Sequence, residues 1–107
     1  MKYLVQMKAH ELFPTLGPPA VKETMNNMVF PSLDRLEQWE SEGRISGGIC
    51  LGQRMGAFVV EAADAKALDN MLLELPFWGM METTVTPLVS IAERRASEQA
   101  LLNQAGK

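Results

Sequence analysis

A single histidine and a single cysteine in 107 residues narrow the chemistry open to this chain. His10 lies two residues beyond Lys8 and four beyond Gln6, a spacing that puts all three on one face of an extended segment. An imidazole there can carry a proton at neutral pH. Glu82, in a later extended segment, shares its parity with Met80 and Thr84, and a carboxylate shielded from water can act as a general base. Lys8, His10 and Glu82 are therefore the candidate proton-transfer groups. Their alternative reading is a strand end in solvent, with His10 beside Glu11.

Candidate binding groups surround them. Arg54 can hold a carboxylate through two parallel hydrogen bonds, or make a surface ion pair of little consequence. Asn27, paired with Asn26 ahead of Pro31, offers an amide to a carbonyl oxygen, and Gln6 offers another. Met25, Met28, Met55, Met71, Met80 and Met81, with Phe77, Trp39 and Trp78, could supply a soft apolar wall. At helical spacing Met25, Met28 and Met71 read as core, whereas Trp78 and Met80 are candidate substrate contacts.

Other chemistries are excluded by composition. One histidine and one cysteine cannot build a zinc site of the usual His and Cys composition, and neither a P-loop, a dinucleotide glycine fingerprint nor a Gly-x-Ser-x-Gly turn is present. No cofactor is expected. A net charge of -3 and a pI near 5.1, with scattered basic residues, argue against nucleic acid. Cys50 has no partner for an internal disulfide and reads as a small buried hydrophobe, in keeping with a reducing compartment. No apolar run approaches the roughly 18 residues of a membrane span, and the first residues lack the form of a signal peptide, so the predicted location is cytoplasmic and away from membranes.

These residues must be positioned by a small set of elements. Residues 2–10 alternate, with Tyr3, Val5, Met7 and Ala9 opposite Leu4, Gln6, Lys8 and His10, which predicts a first strand. Prolines and a glycine over residues 12–19 predict a loop that opens a helix. Val21, Met25, Met28, Val29, Leu33, Leu36 and Trp39 then form a helical stripe over residues 20–42, with a kink or a division into two helices near Phe30 because Pro31 interrupts the run. Gly43 ends it. Residues 44–51 and 56–62 predict a hairpin, in which Gly47 and Gly48 mark a bulge or a close approach. Asp64 caps a second helix with Leu68, Met71, Leu72 and Leu75 on its apolar face and Pro76 at its end. A last strand runs through residues 80–85. Ser90 and Glu93 form a capping box for a helix over about residues 90–103.

The order β-α-β-β-α-β with an added C-terminal helix is the ferredoxin-like α+β arrangement, in one domain over residues 1–107 with a core of about residues 1–88. Two helices cover only one face of the sheet. The other, carrying Leu4, Gln6, Ile49 or Cys50, Phe58 or Val59, and Met80, calls for a second sheet, which predicts a homodimer or higher homo-oligomer closed as a dimeric α+β barrel.

The segment Leu75-Pro76-Phe77-Trp78-Gly79-Met80-Met81-Glu82 resembles the end of the second helix and the last strand of muconolactone isomerases. The likeness extends to Met1-Lys2-Tyr3-Leu4-Val5-Gln6-Met7, to Glu42-Gly43 and to the hairpin over residues 52–62. It implies a dimeric α+β barrel, arranged in larger rings, and a cofactor-free shift of a double bond in a small lactone. Where that family carries a histidine and a tyrosine after the hairpin glycine, this chain has Gln53 and Arg54, and around Phe30, Pro31 and Ser32 it lacks the family's charged groups, so no catalytic residue is carried over. The expected function is a cofactor-independent isomerase or cyclase that moves a proton on a small, partly apolar carbonyl or lactone compound in a barrel cavity. The alternatives are a non-catalytic small-molecule-binding or assembly protein, and a cofactor-free or haem-dependent monooxygenase on the same fold.

Overall fold

The computed structural model describes residues 1–10 and 17–106. The predicted loop over residues 12–19 therefore lies outside the described residues up to residue 16. Strand β1 (Lys2–Ala9) follows the alternation of its sequence, with Tyr3, Val5 and Met7 each at most 3% exposed. Helix α1 (Pro18–Thr24) opens on two prolines, whose fixed φ and missing N–H suit a first turn.

The interruption at Pro31 includes a widened turn that periodicity did not predict. The chain stays helical from α1 through a π-helical turn (Met25–Val29) into α2 (Phe30–Ser41), and the Phe30 N–H reaches back five residues to the Met25 carbonyl. Pro31 has no N–H to donate, and its ring would crowd the Asn27 carbonyl, so one widened turn relieves the conflict and divides the run into two α-helices, the second starting at Phe30, which is the second of the two expected outcomes. Gly43, at φ +75°, then turns the chain into β2 (Ile45–Ile49).

Strand β2 pairs with β3 (Met55–Glu61), a residue or two from the predicted bounds at each end. Helix α3 (Ala65–Leu72) is capped as expected, with the Ala67 N–H donating to the Asp64 carboxylate at 2.8 Å. It stops at Leu72, so Leu75 is buried in the turn beyond the helix instead of on its face. A 3₁₀ turn (Trp78–Met80) leads into β4 (Met81–Leu88), and Ser90 caps α4 (Ile91–Ala105) by accepting from the Glu93 N–H.

The four strands form one antiparallel sheet in the order β2-β3-β1-β4. Register sorts the two faces. Tyr3, Val5 and Met7 share a face with Val60, Phe58 and Gly56 of β3 and with Ile45 of β2, and this face packs against Leu36, Trp39, Leu68, Met71 and Leu72 from the helices. The other face carries Leu4, Gln6, Ala57 and Val59 at its centre and Lys8, Thr84, Thr86 and Glu82 around them. Of the paired expectations, Val59 and not Phe58 lies on this open face, while Ile49 belongs to the helix side and Cys50 lies past the end of β2. Met80 is corrected as well: it sits in the 3₁₀ turn, where strand alternation does not apply, and packs against the core.

Met71 is core as expected, but Met28 is 39% exposed and Met25 is only half-buried. The π turn places both outside the closely packed stretch of the helix. Every residue of α4 is exposed, and the helix projects from a molecule measuring 67 × 28 × 24 Å.

Candidate functional site

One end of the sheet gathers the polar groups. The β2–β3 connection turns through Gly52 at φ +73°, held by the Cys50 N–H on the Met55 carbonyl at 2.8 Å. Its last residue is tied to β1, where the Ala9 N–H donates to the Arg54 carbonyl at 2.9 Å. The next residue, His10, donates its own N–H to the Met80 carbonyl at 2.9 Å. Backbone hydrogen bonds thus fix His10 between the hairpin and the start of β4. Its Nδ1 lies 3.8 Å from Oε1 of Glu82, and Lys8 is the cross-strand partner of Glu82. His10 and Glu82 are about half-exposed, so the pair is a surface contact on the open side of the sheet end.

A cleft of about 240 Å³ opens at the same end but on the helix side. Met25 and Val29 of the π turn and Leu33 and Leu36 of α2 form one wall. Met7, Met55, Gly56 and Phe58 form the floor, and Phe77 and Met81 close the far side. Gln53 and Arg54 are the polar side chains among the described lining residues. Gly56 keeps the floor open: a Cβ there would lie 2.6 Å from the Phe58 ring and push it aside.

Phe77 is held by a buried hydrogen bond. Ser32 of α2 is 0% exposed, and its Oγ accepts from the Phe77 N–H at 3.0 Å. Ser32→Ala would leave that N–H buried and unpaired, at a cost of about 1–3 kcal/mol. A lowered urea midpoint with an unchanged m-value is the expected result.

The predicted site residues fall into three groups. Lys8, His10 and Glu82 come together, with Gln6 one step along β1 on the same open face. Arg54 lies on the cleft wall. Asn27 is exposed on the π turn and is not part of that wall, while Trp78 and Met80 are half-buried against the core. Sequence reasoning missed Met7 and Phe58 as cleft residues because both carry the signature of ordinary core. The only available signal was Gly56, a glycine that leaves room beside an aromatic ring.

Among the described residues no cluster of three or more His, Cys, Asp or Glu side chains could hold a metal ion, and no helix is long and apolar enough to cross a membrane.

The family model for muconolactone delta-isomerase matches residues 1–93. The chain belongs to the muconolactone delta-isomerase family. Family membership accounts for the sheet, both covering helices and the cleft end, and it stops three residues into α4. Solved structures show the same fold. A muconolactone isomerase crystal structure matches with a TM-score of 0.62 at 17% identity, over 84% of this chain and 90% of that one. A 5-chloro-2-hydroxyhydroquinone dehydrochlorinase from Burkholderia phenoliruptrix, in complex with 2,5-dihydroxybenzoquinone, matches with a TM-score of 0.60 at 21% identity, over 87% and 98%. No curated protein matches the chain.

Proposed function

We propose that this protein is a cofactor-independent isomerase that moves a proton on a small, partly apolar carbonyl or lactone compound held across the sheet end, its apolar part in the helix-side cleft and its reacting carbon reaching past the strand ends to the His10–Glu82 pair. The observation that carries this reading is the meeting of two features at one sheet end. An apolar cleft has Gln53 and Arg54 on its wall, and the His10–Glu82 pair stands one residue beyond the backbone bond that anchors Arg54. In this reading Arg54 and Gln53 hold the substrate's carboxylate or carbonyl oxygen, His10 carries the proton, Glu82 orients the imidazole, and Lys8 favours the negative charge that develops on an enolate. Both neighbouring enzymes, an isomerase and a dehydrochlorinase, act on small compounds, which supports a substrate of that size.

The direct test is turnover of a small unsaturated lactone acid by the full chain in D₂O. A change in ultraviolet absorbance with one deuteron taken up at the receiving carbon is the expected result, and the absence of both turnover and exchange would remove the reading. A second reading, a non-catalytic binding protein, is favoured by the lack of any carboxylate, imidazole or amine among the described lining residues of the cleft. It predicts saturable binding without exchange.

The same proposal includes a homodimer closed over the open sheet face. Leu4, Ala57 and Val59 make a half-buried apolar centre, and the rim alternates in sign through Lys2, Glu61, Lys8 and Glu82, so a copy related by a two-fold axis is complementary to it. Helix α4 supports the same partner, because a 15-residue helix with no buried residue is marginal by itself and gains order by lying on another subunit. Val59→Asp places a carboxylate at the centre of that face, costing several kcal/mol if the face is covered. Sedimentation should show a dimer for the parent chain and a folded monomer for the variant. A parent chain that is monomeric at micromolar concentration would refute the pairing.

A further inference from the structure

We infer that the cleft is built for a two-ring aromatic monoanion, with its rings among the methionines and its one charged oxygen group at Arg54. This rests on the reading that the cleft is the ligand site. Four of its lining residues are methionines, Met7, Met25, Met55 and Met81, and two are phenylalanines, Phe58 and Phe77. Thioether sulfurs and ring edges complement a flat π surface better than they complement a saturated, oxygen-rich ring. The volume of about 240 Å³ lies just below the roughly 300–1,000 Å³ of sites for drug-sized ligands, which is room for one or two fused rings.

Polarity sets the rest. Both polar lining side chains come from adjacent positions at the end of one hairpin, so the described walls offer hydrogen bonds at one end of the cleft alone. A ligand with oxygens at both ends would bury one end unpaired, a loss that hydrogen-bonding sites turn into strong discrimination. One anionic group on an apolar body satisfies the arrangement. Gly56 is consistent with this, since its missing side chain leaves the Phe58 ring seated against the floor.

Three probes test the inference on the full chain: naphthalene-2-carboxylate, its neutral counterpart 2-naphthylmethanol, and a small aliphatic lactone acid of the same charge. Affinity is read by calorimetry, and location by methyl NMR of the methionines. The carboxylate should bind about 30-fold more tightly than the lactone acid, the ratio expected from burying the added ring surface. It should shift the methyls of Met7, Met25, Met55 and Met81 while leaving Met1 unmoved. Arg54→Gln should weaken the naphthoate about tenfold and leave 2-naphthylmethanol unchanged. Equal affinity for naphthoate and lactone acid, equal loss for both naphthyl probes, or shifts confined to Met1 and Met28 would each overturn it. If the lactone acid is turned over and binds as tightly as the naphthoate, the ligand class falls and the isomerase reading stands. Naphthoate seated in the cleft of a protein that exchanges no proton gives the reverse.

Discussion

Gly47→Ala is expected to cost the protein about 3 kcal/mol or more, and with it the hairpin that carries Gln53 and Arg54. Gly47 sits within β2 at φ +124°, a backbone conformation that side-chain-bearing residues rarely adopt. An ideal Cβ there would lie 2.2 Å from the Ala57 carbonyl oxygen and 2.9 Å from the Phe58 Cα, both backbone atoms of the paired strand. Neither can rotate away. Strained φ costs on the order of 1–3 kcal/mol and overpacking a similar amount, a large part of the roughly 5–15 kcal/mol that holds a domain together. The adjacent Gly48 is the control: its φ is ordinary, a Cβ there meets nothing within 4 Å, and Gly48→Ala should stay within about 1 kcal/mol of the parent. Urea denaturation of the two variants measures the difference. Equal midpoints would show that β2 can shift away from β3 without penalty.

His10→Ala is expected to lower the proposed turnover about 100-fold, the lower end of what a positioned acid–base group contributes. Its effect on stability should be small, because the His10–Glu82 contact is long at 3.8 Å, half-exposed, and worth under about 1 kcal/mol. That contrast separates chemistry from folding. Glu82→Gln keeps a hydrogen-bonding group opposite the imidazole but removes its charge, so kcat should fall by less than in His10→Ala while KM holds. Binding of a naphthyl probe should survive both changes, since neither residue lines the cleft. Wild-type turnover in His10→Ala would take the proton-transfer role away from this end of β1.

How far these features were legible differs by element. The alternation of β1, the Asp64 cap of α3 and the Ser90 cap of α4 depend on local rules, and each lies where periodicity and capping placed it. Pro31 was recognised as a break, but the widened turn just before it, closed by the Phe30 N–H on the Met25 carbonyl, has no mark in the periodicity. Gly47 and Gly48 are indistinguishable in the sequence. Only the register with Ala57 and Phe58 makes one indispensable and the other free.

The amino-acid order alone determined the alternation of β1, where the capped helices begin, and that Lys8 and His10 share one parity, because that period of two is local; which face β3 buries and that Glu82 stands across from Lys8 needed the register between strands. The cleft belonged to the tertiary structure. Met7 and Phe58 are core by every local measure, and they border an opening only because the π turn and α2 do not close over the sheet end where the hairpin lies. A cavity is space that several distant segments leave unfilled together, and no single segment carries its pattern.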